Sequence, residues 1–161
     1  MMSSQRLSIV VDNREQAPFQ FTRYPVEVVS GTLQTGDYSL PGFEDRVSIE
    51  RKSIDDLVGC LKGEQRQRFE RELVRGRRYE LFAVVIEASF SDLRQGHYRS
   101  EMRSESVLQS LAAFQVRYQV PFYWCGPRVM AEYWTYSLLS KFAEEQRHRV
   151  RCLERGQPIA V

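Results

Sequence analysis

The sequence predicts an α/β domain with a mixed β-sheet flanked by helices, and three observations lead there. Short β-branched runs alternate with segments of helical periodicity. The most apolar run, "LFAVVIE" (Leu81 to Glu87), lies mid-chain and reads as a buried strand. The early strands are spaced too closely for helical crossovers, so the sheet cannot be purely parallel. At 161 residues the chain has room for one domain with a full core.

Each element follows from its local pattern. "LSIVVD" (Leu7 to Asp12) is a buried strand, and "NREQAPFQF" is a loop broken by Pro18. "VEVVSGTLQTGDYSL" is a strand, a Gly31 turn and a second extended piece ending at Pro41-Gly42. In "RVSIERK", period-two alternation puts Glu50 and Lys52 on one face. Ser53 opens a helix with Asp56 as its capping-box partner, and Ile54, Leu57, Val58 and Leu61 form its apolar stripe. After Gly63 comes a second helix whose anchors are Phe69, Leu73 and Val74. "SFSDLRQGHYRS" reads as a polar loop, and a helix follows from about Ser104 to Tyr118. "VPFYWC" is the last strand, and Pro127 starts a long C-terminal helix. The expected domain is residues 1–147, with 148–161 a flexible tail.

Composition excludes several classes. No run approaches the roughly 18 apolar residues of a membrane span, and "MMSSQRLSIVV" lacks the regions of a signal peptide. Cys60, Cys125 and Cys152 are far apart and form no CxxC, which gives neither a disulfide framework nor a zinc site. An intracellular, cytoplasmic protein is expected, nucleoid-associated if the source is prokaryotic.

Net charge is +2, yet the basic residues are unevenly placed. Between Leu61 and Arg78, Lys62, Arg66, Arg68, Arg71, Arg75, Arg77 and Arg78 stand against three glutamates. A solvated face with i,i+4 pairs such as Arg66–Glu70 and Arg68–Glu72 is one reading. The basic excess and thin apolar stripe favour contact with a nucleic-acid backbone, through Arg66, Arg68, Arg71, Arg75, Arg77 and Arg78.

The chemistry concentrates between Gly36 and Asp56, a stretch with six carboxylates. Carboxylates alone repel a phosphodiester, but they assist its hydrolysis when they hold Mg²⁺ or Mn²⁺, hard cations that prefer oxygen ligands. An ammonium beside them neutralises developing charge. Asp37 and the acid–x–lysine of Glu50 and Lys52 supply these parts across a hairpin. Only three of the 23 basic residues are lysine, which marks Lys52 as a place where a compact cation is wanted. Acid–x–lysine alone is weak, expected by chance roughly 0.4 times with three lysines and 21 acids.

The longer string is more specific. "GDY" followed by "IERKSIDDL" resembles the GD…ERKxxxD motif of the XPF-type structure-specific endonucleases, "IVVDNRE" is similar to their VDxRE strand, and "LFAVVIE" to their apolar strand ending in IE. The resemblance runs from about Leu7 to Phe142. It implies a restriction-endonuclease-like core that hydrolyses DNA with Mg²⁺ or Mn²⁺. Asp37 and Glu50 would be metal ligands and Asp12 a further acid at the metal. Lys52 would position or activate the attacking water, Arg14 and Arg51 would contact phosphate or orient the acids, and Asp56 would complete the cluster. No helix-hairpin-helix module or helicase has room here, so recognition of branched or flapped DNA would need a homodimer or heterodimer through this domain.

Other readings stay beside these. Asp56 also serves as a capping residue, and Asp55 favours the helix dipole. Glu44 and Asp45 are solvated turn residues, Glu87 is open to a site or a structural role, and His97 and His148 have no motif around them. Met130, Tyr133, Trp134, Leu138, Leu139 and Phe142 give the last helix a broad apolar girth, suited to core packing or to a dimer contact. The alternative to an endonuclease is a non-catalytic DNA-binding or scaffolding subunit, which has no reason to keep Asp12, Asp37, Glu50, Lys52 and Asp56 together. An RNA-processing enzyme is weaker still, because no RNA-stacking motif is visible.

Overall fold

The structure, a computed structural model, describes residues 6–159. One sheet contains β1 (Leu7–Asp12), β2 (Val26–Gly31), β3 (Tyr38–Ser39), β4 (Val47–Lys52), β5 (Leu81–Ile86) and β6 (Phe122–Trp124), in the order β2-β1-β3-β4-β5-β6. β1 pairs in parallel with β2, as do β4 with β5 and β5 with β6, while β3 is antiparallel to β1 and β4. Five strands therefore run one way and the two-residue β3 runs back between them. One edge of the sheet thus gathers the end of β1, the start of β3 and the ends of β4 and β5. Chain segments far apart in sequence meet there.

Helices α1 (Ile54–Gly59), α2 (Gly63–Gly76), α3 (Phe90–Arg94) and α4 (Ser104–Tyr118) supply the core on one face. Helix α5 (Arg128–Glu154) covers the other, with Ala131, Leu139 and Phe142 buried. β5 shows why its sequence is apolar throughout: Phe82, Val84 and Ile86 enter the first core, Ala83 and Val85 the second. Phe19 and Phe21, from the loop after β1, are buried against Tyr38, whose hydroxyl accepts the Phe19 N–H at 2.8 Å. This is a restriction-endonuclease-like α/β fold.

Several sequence expectations change. Val74 is exposed; Gly76 takes the inner position, where any Cβ would collide with the Phe82 ring. The stretch read as a polar loop contains α3, capped by a reciprocal Ser89–Asp92 box. At α1 only half of the expected box forms: Ser53 Oγ accepts the Asp56 N–H at 3.1 Å. The helix does not stop at Arg147 but continues to Glu154, because Cys152 is buried beside His148 and Arg149 reaches Glu80 and Glu145 at 3.3 Å. Among the described residues, no helix is long and apolar enough to cross a membrane.

Candidate active site

The sheet edge described above carries the predicted acids. Asp37 immediately precedes β3, and its backbone is bonded on both sides: its N–H donates to Ile49 O and its carbonyl accepts the Asp12 N–H, both at 2.8 Å. Gly36 makes this possible, since it has φ +78° and a Cβ there would strike Ser48 Oγ. The Asp37 carboxylate accepts the Arg51 N–H through Oδ2 at 2.8 Å. As the alternation predicts, Glu50 and Lys52 share a face of β4, with Nζ donating to Oε1 at 2.8 Å, and each is only 8% exposed. The Lys52 ammonium also lies 4.8 Å from the Phe69 ring centroid. These groups floor a cleft of about 430 Å³ between the sheet edge and α2, and a neighbouring lobe of about 480 Å³ adds Asp55 and Asp56 at its rim.

Arg51 points to the opposite face. Its guanidinium holds Glu15 at 2.9 and 3.2 Å and Glu87 at 3.1 Å, and Glu87 also receives Arg128 at 2.6 Å. Asp12 is equally engaged: Oδ1 accepts Arg14 N and Nε, and Oδ2 accepts an Arg14 terminal nitrogen and the Leu33 N–H, all between 2.7 and 2.9 Å. Arg14 and Arg51 therefore orient acids. Asp12, expected as a metal ligand, has both oxygens committed to bracing the β1 end and the Leu33 turn. Asp56 is exposed at the rim and makes no ion pair among the described residues.

Glu72 is the residue that sequence reasoning missed. The expected surface pair with Arg68 does not form. Glu72 instead turns into the cleft that Glu50 also lines, where its carboxylate accepts the Gly36 N–H at 3.3 Å. Its signal was faint: it follows the buried Phe69 by three positions and precedes the buried Leu73 by one, inside an arginine-rich helix.

The electrostatics follow from this crowding. Burial pushes the Asp37 carboxyl up to about 9, with Glu50 adding to the effect, and burial followed by Glu50 pushes Glu72 up to about 8. Burial works against the Lys52 ammonium, but Glu50, with Cys60 and Glu72 behind it, keeps it protonated well above the usual lysine range. Asp37 and Glu50 beside Lys52 offer hard oxygens of the kind that Mg²⁺ or Mn²⁺ prefers. Among the described residues no three Asp, Glu, His or Cys side chains are placed to hold a metal ion, and a site of one or two carboxylates, completed by water and phosphate oxygens, is the usual arrangement for Mg²⁺.

The predicted basic face divides. Arg68, Arg71 and Arg75 line the cleft, with Arg75 Nε donating to Thr35 Oγ1 at 2.7 Å, and Arg78 lies beyond them beside Arg71 and Arg75. Arg66 and Arg77 belong elsewhere. Arg66 sits 4.8 Å from the Phe114 ring centroid and also bonds Ser110, and Arg77 donates to Arg117 O at 3.2 Å. A groove of about 630 Å³ at the far end of the sheet, between Leu7, Leu40, Phe43 and Val150, has no carboxylate in its lining.

The fold and the edge cluster together define a restriction-endonuclease-like domain whose acids and lysine share one cleft. Residues 11–138 match the family model of the ERCC4 domain, and the chain belongs to that family as an XPF-type nuclease domain. It is 31% identical over 134 residues to the DNA repair endonuclease XPF of Cricetulus griseus, and equally to that of Mus musculus, covering 78% of this chain and 14% of each relative. The chain thus spans about one seventh of those relatives. Among solved structures, XPF from Aeropyrum pernix aligns with TM-score 0.66 and 23% identity over 96% of this chain and 65% of that one. The same protein in complex with DNA aligns with TM-score 0.64 and 21% identity over 86% of this chain and 66% of that one.

Proposed function

We propose that this chain is a divalent-metal-dependent endonuclease that hydrolyses phosphodiester bonds in branched, flapped or forked DNA inside the cell. The observation that carries the reading is the convergence of Asp37, Glu50 and Lys52 in one cleft flanked by arginines. Its relatives' name, DNA repair endonuclease, supports it.

Asp37 and Glu50 are the residues that would hold Mg²⁺ or Mn²⁺. When bound, the ion supplies a nucleophilic hydroxide and offsets charge at the scissile phosphate. Lys52 remains an ammonium at any working pH, so it does not take a proton from water; it orients the water and neutralises charge on the phosphate. The backbone bonds to Asp37 keep its carboxylate in place before substrate arrives. Arg68, Arg71 and Arg75 bind flanking phosphates. A homodimer or heterodimer contact is proposed at the open edge of β6, where Met130, Tyr133 and Trp134 are 46%, 45% and 36% exposed beside Tyr123 and Trp124.

The test is cleavage of labelled duplex, flap, fork and single-stranded DNA with Mg²⁺, Mn²⁺ or EDTA. Cutting of a junction-bearing substrate that chelation abolishes is expected. Metal-independent cutting removes the metal reading, and binding without cutting returns the chain to a non-catalytic subunit.

The divided basic face gives a separate prediction. Replacing Arg68, Arg71 and Arg75 with alanine should reduce the slope of log K against log salt by about 2 to 3, close to 0.9 for each phosphate no longer neutralised. The pair Arg66→Ala and Arg77→Ala should leave the slope within about 0.5 of wild type. Equal slopes for both variants would make α2 a solvated face.

A further inference from the structure

At the end of the sheet away from the acids, the groove of about 630 Å³ is lined quite differently from the cleft. One wall is the start of β1 and the turn after β3, with Leu7, Leu40, Pro41 and Phe43. The other is the last turns of α5, with Ala143 and Val150. Arg6, Arg147 and Arg151 complete the lining and are exposed. Nearby arginines find acids: Arg46 and Arg149 pair with Glu80, and Arg149 also with Glu145. Arg6, Arg147 and Arg151 form no ion pair among the described residues. Three cations thus edge an apolar trough that contains no acid.

The walls are fixed to each other, so the trough is preformed. The Phe43 ring packs edge-on against Phe142 with centroids 5.8 Å apart, and the Arg46 guanidinium lies 5.1 Å from the Phe43 centroid. Arg46 also donates to Gln146 Oε1 on α5 at 3.1 Å. The last α5 residue packed on the sheet core is Ala143, yet the helix continues to Glu154 and leaves Val150 54% exposed. An apolar side chain in water between arginines is a surface suited to being covered.

Charge and shape select the occupant. A second copy of the same face would bring three more arginines, which repel these. Duplex DNA offers nothing apolar to Leu40 and Phe43, and the arginines of α2 stand at the opposite end. An anionic membrane is met by a protruding apolar face, whereas these apolar residues line a hollow. A peptide with apolar side chains between aspartates or glutamates matches both parts, its apolar residues filling the trough and its acids meeting the rim.

We infer that this groove docks a short acidic, apolar segment of a partner protein. A partner held there leaves the cleft and the α2 arginines open to DNA. No residue of the cleft takes part, so docking stands whether or not the metal-dependent reading does.

The probe is a phage-displayed library of random dodecapeptides selected on the whole chain. Recovered peptides should carry Leu, Ile or Phe flanked by Asp or Glu and, made synthetically, should bind wild type in fluorescence anisotropy. Arg147→Glu/Arg151→Glu should weaken them tenfold or more. So should Val150→Asp, which leaves the arginines in place. All three side chains are exposed, so both melting temperatures should stay close to that of wild type. If the double variant does not fold, Val150→Asp decides the matter alone. Peptides that bind wild type and variants within twofold of each other overturn the assignment, as does a library that yields none. Three other results in place of peptide binding hand the groove to a different occupant and equally overturn it. One is a salt slope for duplex DNA lowered by about 2 in Arg147→Glu/Arg151→Glu. The others are binding to phosphatidylserine vesicles, or a dimer in sedimentation, that the same variant abolishes.

Discussion

Lys52→Ala is expected to bind flap and fork DNA nearly as wild type does and to cut them on the order of 10³-fold more slowly, the loss that follows removal of one pre-positioned charge from a dry site. The geometry explains why the effect falls on the chemical step. The ammonium is 2.8 Å from Glu50 and over the Phe69 ring, deep in the cleft, whereas the phosphate-facing arginines lie along α2. Lys52→Met, which preserves the stem over Phe69, controls for lost packing. The measurement is single-turnover cleavage beside equilibrium binding on the same substrates. A variant that cuts at the wild-type rate would remove Lys52 from the site.

The second large effect is structural. Arg51→Met should destabilise the metal-free protein by about 3–5 kcal/mol, a fall in melting temperature on the order of 10 °C. The Glu15 and Glu87 side chains are only 6% and 15% exposed, and Arg51 is shared by both. Glu87 keeps Arg128, so most of the loss falls at Glu15. The pH dependence follows from the sign of the Glu15 shift. Burial raises its carboxyl pKa, but Arg51 more than offsets this, so the folded value lies below the ordinary one. A depressed carboxylate contributes stability that is present above its unfolded pKa and is lost as pH falls through the folded value. The gap between wild type and Arg51→Met should therefore be full at neutral pH and narrow as pH falls toward the wild-type value, because burial without Arg51 makes the variant's Glu15 take up a proton at a higher pH than wild type's does. Thermal melts in EDTA across that range decide it. A gap that stays constant with pH would mean that Arg51 acts by packing.

Much of the fold was legible because its signals are local. β4 alternates cleanly, β5 is apolar on both faces, and α4 begins and ends where its stripe does. What the pattern could not carry was competition among partners. Arg51 and Lys52 are adjacent and both basic, yet the pleat sends one to Glu15 and the other to Glu50. Glu72 looked like half of an i,i+4 pair with Arg68, and the tertiary bond to the Gly36 N–H won. Asp12 was recognised as an acid at the right edge, but its saturation by Arg14 and Leu33 depends on a turn some 20 residues away. The last turns of α5 lack a strong stripe and are held by Cys152 and by Arg149 to Glu80, which joins distant segments.

Asp37 is held in place by its own main chain, whose amide and carbonyl are each hydrogen-bonded to a neighbouring strand, while its carboxylate adds one tie, to the Arg51 N–H. Asparagine there retains an acceptor for that N–H, making this position a clean place to separate what the protein holds from what it does.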